Sequence, residues 1–296
     1  MSTHHPCKPN LQECGATSVV AAIVFALGNS RVLRAMIRSV FLSHGAPLLA
    51  LNPGAYADAF KQLGAQIKDA PCLIVVSPHW MQRGVVIGQG GRYHAIHDFG
   101  GFPEALYQLR HEIAGDPARS EAFQQALVKL GVPARLELRT GVDHGVWMPH
   151  RMMQLPRDQV IVPVAMPAGL DAATAWQFGE VLATAMPDAV VLGSGGFTHN
   201  LYAFRGQPQA SPIDPRVQTF ADWLDAAVLA GHGESLIHYR RRAPEAEYCH
   251  PTDEHLLPLQ IAAGAAHAAR AEKITREIDG ITHGILSMRA YSFANA

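Results

Sequence analysis

The fold is decided by the stretch Leu73-Ile74-Val75-Val76-Ser77-Pro78-His79-Trp80, an apolar run that ends in a histidine and a tryptophan. Residues 73–77 have the length and the apolar composition of a buried β-strand. A histidine at the end of such a strand is costly to bury unless its ring nitrogens find partners. The stretch therefore predicts a strand that delivers an imidazole to one edge of a sheet.

Short apolar runs and amphipathic runs alternate along the chain from about residue 37. We predict strands at residues 40–43, 73–77, 85–87, 134–138, 160–165, 189–192 and 284–291. We predict helices at residues 55–63, 104–110, 120–130, 171–186, 217–230 and 254–266. Strands that alternate with helices indicate an α/β fold, with a central mixed, largely parallel sheet flanked by helices.

Five histidines occupy the same kind of place in this pattern. Four follow a strand-like run or a glycine turn and one opens a helix-like run, and they are His44, His79, His144, His199 and His255. Strand ends meet at one edge of an α/β sheet, where ligands bind. Each histidine taken alone would be read as a core or capping residue. Their repetition predicts a metal site at the C-terminal ends of the strands, with one or more spare acid/base groups.

The neighbours of these histidines give each a local interpretation. Gly45 lets the chain turn tightly after His44, so that the imidazole can point into a cleft. The glycine run 193–196 before His199 indicates a close approach of backbone to a ligand or metal. A phosphate-binding turn is the weaker reading of that run, because no Walker lysine follows it. His144 lies between glycines and is a candidate for proton transfer near neutral pH.

Two further segments leave alternatives open. Adjacent helical residues point about 100° apart, so Glu254 and His255 are not expected to serve one metal together, and either could be the ligand. Residues 98–103 form an aromatic, glycine-rich loop that either lines the pocket of a planar substrate or is an ordinary packed loop.

Composition excludes several classes of protein. The chain has 296 residues, is 48% hydrophobic and 17% charged, and carries a formal net charge of −1, which is typical of a globular protein. It has no block dense in lysine and arginine, so we expect no nucleic-acid partner. Its apolar runs are too short to span a bilayer, so we expect no membrane partner. Four cysteines without zinc-finger spacing favour the cytoplasm.

The first 35 residues do not share the alternating pattern. They hold an apolar run at residues 16–28 without a clear basic region or cleavage site, which disfavours a signal peptide. We expect residues 1–35 to be a poorly ordered N-terminal extension and residues 36–296 to form a single catalytic domain. A natural translation start at Met36 is one hypothesis for this division.

Six motifs occur in the order found in one known family. They are residues 43–47 (SHGAP), 77–80 (SPHW), 97–103 (HDFGGFP), 143–147 (DHGVW), 199–201 (HNL) and 251–259 (PTDEHLLPL), and residues 284–288 also fit. Over roughly residues 37–295 the chain resembles the class III extradiol ring-cleavage dioxygenases, in the branch that includes 4,5-DOPA dioxygenase. Pro78 departs from the family, which usually has alanine there.

The resemblance implies a role for each of the five histidines. His44, His79 and His255 match metal ligands, and His199 matches a residue close enough to be a fourth. His144 matches the acid/base. The implied reaction is extradiol cleavage of a small catecholic aromatic, DOPA-like or related, with O2, using Fe(II) for activity. The resemblance leaves the oligomeric state open.

Two alternatives to this reading remain at the level of sequence. Zn(II) also suits a site rich in histidine and binds such sites more tightly than Fe(II). A zinc-dependent hydrolase would use Glu254 or Asp143 as its base, and Glu254 is also a fallback metal ligand. A non-catalytic zinc-binding protein would have a closed site with no pocket beside it.

Overall fold

An eight-stranded mixed sheet runs through the described part of the chain, which in this computed structural model comprises Met1 and residues 36–296. The predicted extension, residues 1–35, lies outside the described residues except for Met1. Residues 36–296 form one compact unit. Among the described residues, no helix is long and apolar enough to cross a membrane.

The described residues form thirteen strands. In chain order these are β1 (Ile37–Ser43), β2 (Leu73–Gln82), β3 (Val85–Gln89), β4 (Arg92–Ala95), β5 (Glu112–Ala114), β6 (Ala134–Leu138), β7 (Gly141–Val142), β8 (Ile161–Pro167), β9 (Val190–Gly195), β10 (Lys273–Ile278), β11 (Ile281–Thr282), β12 (Leu286–Ser287) and β13 (Ala290–Ala294). The main sheet has the order β10-β13-β1-β9-β2-β8-β3-β6, and β5-β4-β7 and β11-β12 form two small sheets.

The described residues also form ten α-helices, five of them in succession between β9 and β10. They are α1 (Ala57–Ile67), α2 (Glu104–Tyr107), α3 (Pro117–Lys129), α4 (His144–Met152), α5 (Ala172–Ala185), α6 (Pro215–Leu229), α7 (Gly233–Ile237), α8 (Tyr239–Arg242), α9 (Ala246–Cys249) and α10 (Leu257–Ala268). Short 3-10 helices lie at Pro47–Ala50, Gly54–Tyr56 and Leu201–Ala203.

The centre of the main sheet is parallel. Strands β1, β9, β2 and β8 pair in parallel, while β13 and β10 on one side, and β3 against β8 on the other, are antiparallel. Nearly every residue of the four central strands is buried, because helices and loops cover both faces of a parallel sheet. The predicted α/β class and the mixed, largely parallel sheet are therefore confirmed.

Glycines allow the C-terminal helix α10 to lie very close to the sheet. A Cβ on Gly193 would collide with the carbonyl oxygen of Pro258, and one on Gly195 with the carbonyl oxygen of His255. The backbone N–H of Gly196 donates to that His255 oxygen at 2.8 Å. The sequence predicted that the backbone of this glycine run approaches a ligand or metal. The structure shows instead that it approaches the backbone of residues 255–258, which fixes the turn before α10.

Strand β2 is longer than predicted and is interrupted where the histidine lies. Its pairing with β8 shifts register between Ser77 and Met81 and then continues to Gln82. Pro78 has no N–H to donate to the ladder, so the chain bulges at this point. His79 therefore lies within β2, and the bulge directs it toward the edge of the sheet.

Other boundaries also differ from the prediction. Residues 284–291 contain β12 and the start of β13 rather than one strand, and residue 255 lies in a turn ahead of α10. His144 begins helix α4, where the sequence suggested a shaped loop. Strands β4, β5, β7, β10 and β11 are short or mostly polar, and the sequence pattern missed them.

Candidate metal centre

Three histidines from distant parts of the chain converge at the C-terminal edge of the parallel strands. His44 follows β1, His79 lies at the bulge of β2, and His255 lies in the turn before α10. One ring nitrogen from each lies within 4.8 Å of the others. The Nε2 atoms of His44 and His79 are 3.3 Å apart. The structure thus brings together the three residues for which a shared ligand role was predicted.

Hydrogen bonds behind two of these rings leave the inner nitrogens free. His255 Nδ1 lies 3.1 Å from Oε1 of Glu254. The hydrogen bond from His255 lowers the pKa of the Glu254 carboxyl to about 2. A carboxylate only accepts, so Nδ1 carries the proton and Nε2 presents its lone pair. His44 Nδ1 lies 3.0 Å from Oγ of Ser194. His255 Nε2 is buried and has no hydrogen-bond partner among the described residues.

The nitrogen set fits a divalent cation of the Fe(II) or Zn(II) class. Two nitrogens that each lie about 2.0–2.1 Å from one ion at a near-tetrahedral angle are separated by about 3.3 Å, as the two Nε2 atoms of His44 and His79 are. Burial, followed by the neighbouring histidines, lowers the pKa of His44 and brings the pKa of His79 to about 3. Both rings are therefore neutral at physiological pH, as metal ligands must be.

His144 lies in the same cluster and is held by Asp98. The ring centroid of His144 is 3.9 Å from that of His79 and 5.4 Å from that of His44. Oδ1 of Asp98 accepts from the His144 backbone N–H at 2.9 Å and lies 3.0 Å from its Nδ1. Because a carboxylate only accepts, this contact places a proton on Nδ1 of His144.

His199 is beside the cluster rather than within the group of three. Its ring stacks on His255, with centroids 3.4 Å apart and planes 7° from parallel. A ring nitrogen of His199 lies within 4.8 Å of ligand atoms of His255 and Glu254, but His199 does not form such a group with His44 and His79. Burial, followed by the charge of His255, lowers the pKa of His199 to about 3, so the ring is neutral.

The two acidic residues considered as bases or ligands have other partners. Asp143 is buried and accepts a hydrogen bond from the hydroxyl of Ser77 at 2.6 Å. Burial raises its pKa. Glu254 binds the outer nitrogen of His255 and the hydroxyl of Thr252.

A mostly apolar cavity of about 320 Å³ opens beside the histidines. Its lining includes all five predicted site histidines together with Leu48, Asp98, Phe99, Phe102, Leu201, Phe204, His283 and Ile285. The aromatic loop predicted either to line a pocket or to pack therefore does line one. Its size suits a small aromatic molecule.

Asp98 and His283 are two titratable cavity residues to which the sequence analysis assigned no role. Asp98 lies within the HDFGGFP motif beside His97, and that motif is its only signal in the sequence. His97 itself does not line the cavity, and its ring centroid lies 5.5 Å from that of Trp147. No strand-end pattern marks His283, which is buried.

Comparison with known proteins places the chain in a family. Residues 38–285 match the family described as the catalytic LigB subunit of aromatic ring-opening dioxygenase. The chain belongs to this LigB family. The LigB-family match covers every histidine of the centre and the loop that walls the cavity.

Relatives extend over nearly the whole described part of this LigB-family chain. It is 30% identical to the 4,5-DOPA dioxygenase extradiol of Beta vulgaris, covering 86% of this chain and 96% of the relative. It is 32% identical to that of Portulaca grandiflora, with shares of 87% and 96%, and 31% identical to that of Escherichia coli, with shares of 84% and 92%. The chain is thus a non-haem, metal-dependent extradiol dioxygenase that opens aromatic rings, as the resemblance predicted.

A solved structure supports the fold of the LigB-family chain. It is the crystal structure of an uncharacterized Escherichia coli protein, with a TM-score of 0.68 and 24% identity, covering 86% of this chain and 99% of that one. Neither the zinc hydrolase nor the zinc-binding protein considered above gains support from the comparisons.

Proposed function

We propose that this dioxygenase uses Fe(II), held by His44, His79 and His255, to cleave the ring of a small catechol. The observation that carries the proposal is the meeting of three imidazole nitrogens, two of them 3.3 Å apart, on the wall of an aromatic-lined cavity. Three ligands leave positions open, as non-haem oxygenase sites require. When bound, Fe(II) supplies the redox-active centre at which a catechol and O2 react.

We propose that His144 is the acid/base. Asp98 engages Nδ1, which leaves Nε2 to take a proton from a catechol hydroxyl and return it later. Asp98 acts through His144 and is a positioning residue. The negative charge of Asp98 also stabilises the imidazolium that forms when His144 takes the proton.

We propose that His199 serves proton transfer and substrate binding rather than metal ligation. The supporting observations are that His199 stacks on His255 and is not in the group formed by His44, His79 and His255. A neutral imidazole at the cavity wall can donate from one nitrogen and accept at the other.

The aromatic walls set the orientation of the substrate. Phe99 and Phe102 lie on the cavity with ring centroids 5.5 Å apart in an edge-to-face contact, and Phe99 lies 5.5 Å from His144. A planar ring packed against these side chains would present its hydroxyls to the histidines and exclude water from them. DOPA, which the names of the relatives carry, is one catechol to test.

The test is metal reconstitution. Apo-protein loaded anaerobically with Fe(II) should consume O2 when a catechol is added, and protein loaded with Zn(II) should not. Activity with Zn(II) but not Fe(II) would refute the redox chemistry. His144→Ala should keep bound iron and lose turnover, and loss of iron from that variant would instead make His144 a ligand.

We further propose that residues 36–296 are the catalytic domain and that the enzyme works in the cytoplasm. Cys72 and Cys249 are buried free thiols, and burial raises the pKa of each to about 12. Such thiols are unreactive and need no oxidising compartment.

A further inference from the structure

A strained turn between β11 and β12 faces the cavity. His283 has φ 54° and Gly284 has φ 69°, so two successive residues adopt the left-handed conformation. Glycine does so freely, whereas a histidine there is uncommon. Backbone held in a sparsely populated conformation is concentrated at functional sites. The conformation of this turn therefore indicates a functional role for His283.

Hydrogen bonds and close packing hold this turn in place. The backbone N–H of His283 donates to the carbonyl of Gln209 at 2.9 Å, and the carbonyl of Gly284 accepts from Asp214 at 2.9 Å. A Cβ on Gly284 would collide with the carbonyl oxygen of Pro212. The side chain of His283 is thus presented by a rigid backbone.

One ring nitrogen of His283 is committed and the other is free. Nδ1 lies 2.7 Å from the carbonyl oxygen of Gln207, which can only accept, so Nδ1 carries the proton. Nε2 has no hydrogen-bond partner among the described residues, and the residue lines the cavity. Phe204 braces the ring edge-to-face with centroids 5.6 Å apart. His283 therefore offers the cavity a fixed hydrogen-bond acceptor.

The rest of the cavity wall away from the metal centre is mostly apolar. Phe99, Phe102, Leu201 and Ile285 lie on it together with the hydroxyls of Thr198 and Ser287, and no lysine or arginine is among the described residues that line the cavity. A carboxylate on the substrate would find no cation here. An ammonium or hydroxyl group would find Nε2 of His283.

We propose that His283 determines specificity by accepting a hydrogen bond from a donor on the ring substituent of the catechol. The preferred substrates are then catechols whose side chain ends in an ammonium or a hydroxyl, and a side-chain carboxylate contributes nothing. This inference rests on the proposed function and names the substrate class within it.

The test compares four catechols in the iron-loaded parent and in His283→Asn. Asparagine tolerates the left-handed backbone but is too short to place an acceptor where Nε2 lies. Dopamine carries an ammonium, hydroxytyrosol a hydroxyl, dihydrocaffeate a carboxylate, and 4-methylcatechol none of these. The parent should prefer either donor over 4-methylcatechol by about tenfold or more in kcat/KM. The variant should lose this preference and turn over 4-methylcatechol within about threefold of the parent.

Three results would overturn the proposal. They are an equal loss for all four compounds in the variant, no preference for the donors in the parent, and a preference for dihydrocaffeate. His94→Asn, at an exposed histidine outside the cavity lining, is the matched control and should change nothing. If no catechol consumes O2, the proposed function fails. Equilibrium binding of the same compounds then decides on His283, with the same tenfold preference expected in the parent alone.

Discussion

The position of His144 depends on Asp98, because a single carboxylate oxygen accepts from the backbone N–H of His144 and contacts its ring Nδ1. Burial raises the pKa of Asp98, but the hydrogen bonds and charge of His144 lower it by more, so the side chain is ionised. Asp98→Asn keeps an acceptor oxygen and removes the charge. Asp98→Ala removes the acceptor as well.

The two variants of Asp98 should differ in size of effect. A hydrogen bond to a charged group contributes about 1.5–3 kcal/mol and a neutral one about 0.5–1.5 kcal/mol. Asp98→Asn should therefore lose about 1–1.5 kcal/mol, or roughly tenfold in kcat. Asp98→Ala leaves the base without an orienting partner, and loss of general-base catalysis costs about a hundredfold to ten-thousandfold.

Oxygen uptake gives kcat and KM for each variant, and metal analysis gives the iron content. The fall should appear in kcat, with iron content and melting temperature close to those of the parent. Asp188→Asn is the matched control, because that exposed carboxylate pairs with Arg119 and does not line the cavity, so kcat should stay within about threefold. Full activity in Asp98→Ala with iron retained would refute the positioning role of Asp98.

Three other predictions follow from packing, burial and chain boundaries. Gly195→Ala should cost about 1–3 kcal/mol in urea unfolding and reduce iron content, because its Cβ collides with backbone, whereas Gly91→Ala has open space and should change neither. Burial lowers the pKa of His150 to about 3, below the unfolded value near 6.5, so the ring stays neutral in the folded state. The contribution of His150 to the free energy of unfolding is therefore complete above pH 6.5 and is lost as the pH falls toward 3. Unfolding at pH 7.5 and pH 5 should differ by about 2 kcal/mol more in the parent than in His150→Gln, and equal differences would contradict this. A chain that begins at Met36 should bind iron and turn over catechol like the full chain, and failure to fold would show that residues 1–35 belong to the domain.

Much of the fold could be predicted because its signals are local. The apolar runs of β1, β2, β8 and β9 are long enough to identify central strands, and glycine after His44 correctly indicated a tight turn, with φ 68° at Gly45. The edge strand β6 was predicted at residues 134–138, whereas the edge strand β10 was missed because it is half exposed and polar. Strands β4, β5 and β7 were missed because they have four residues or fewer. Short polar strands are stabilised by their neighbours and carry little periodicity of their own.

The site could be predicted as a set of residues but not as a set of contacts. Repetition of histidines at strand ends identified His44 and His79. Which nitrogen of a histidine is free depends on partners such as Ser194 and Glu254, which only the tertiary structure brings near. Asp98 is 46 positions from His144 in the chain, and no local pattern links them. His283 was missed because its place on the cavity wall depends on a turn between β11 and β12 that the sequence pattern does not show.

The seating of the His255 turn on the glycines of β9 has a consequence for biosynthesis. Two of the three predicted ligands, His44 and His79, follow β1 and lie in β2, whereas His255 lies 176 positions after His79. Strands β1 and β2 are not paired with each other but flank β9, so a nascent polypeptide cannot bring the three histidines together until β9 has paired with both and the turn before α10 has docked. We therefore expect a chain truncated before His255 not to retain a metal ion at this site.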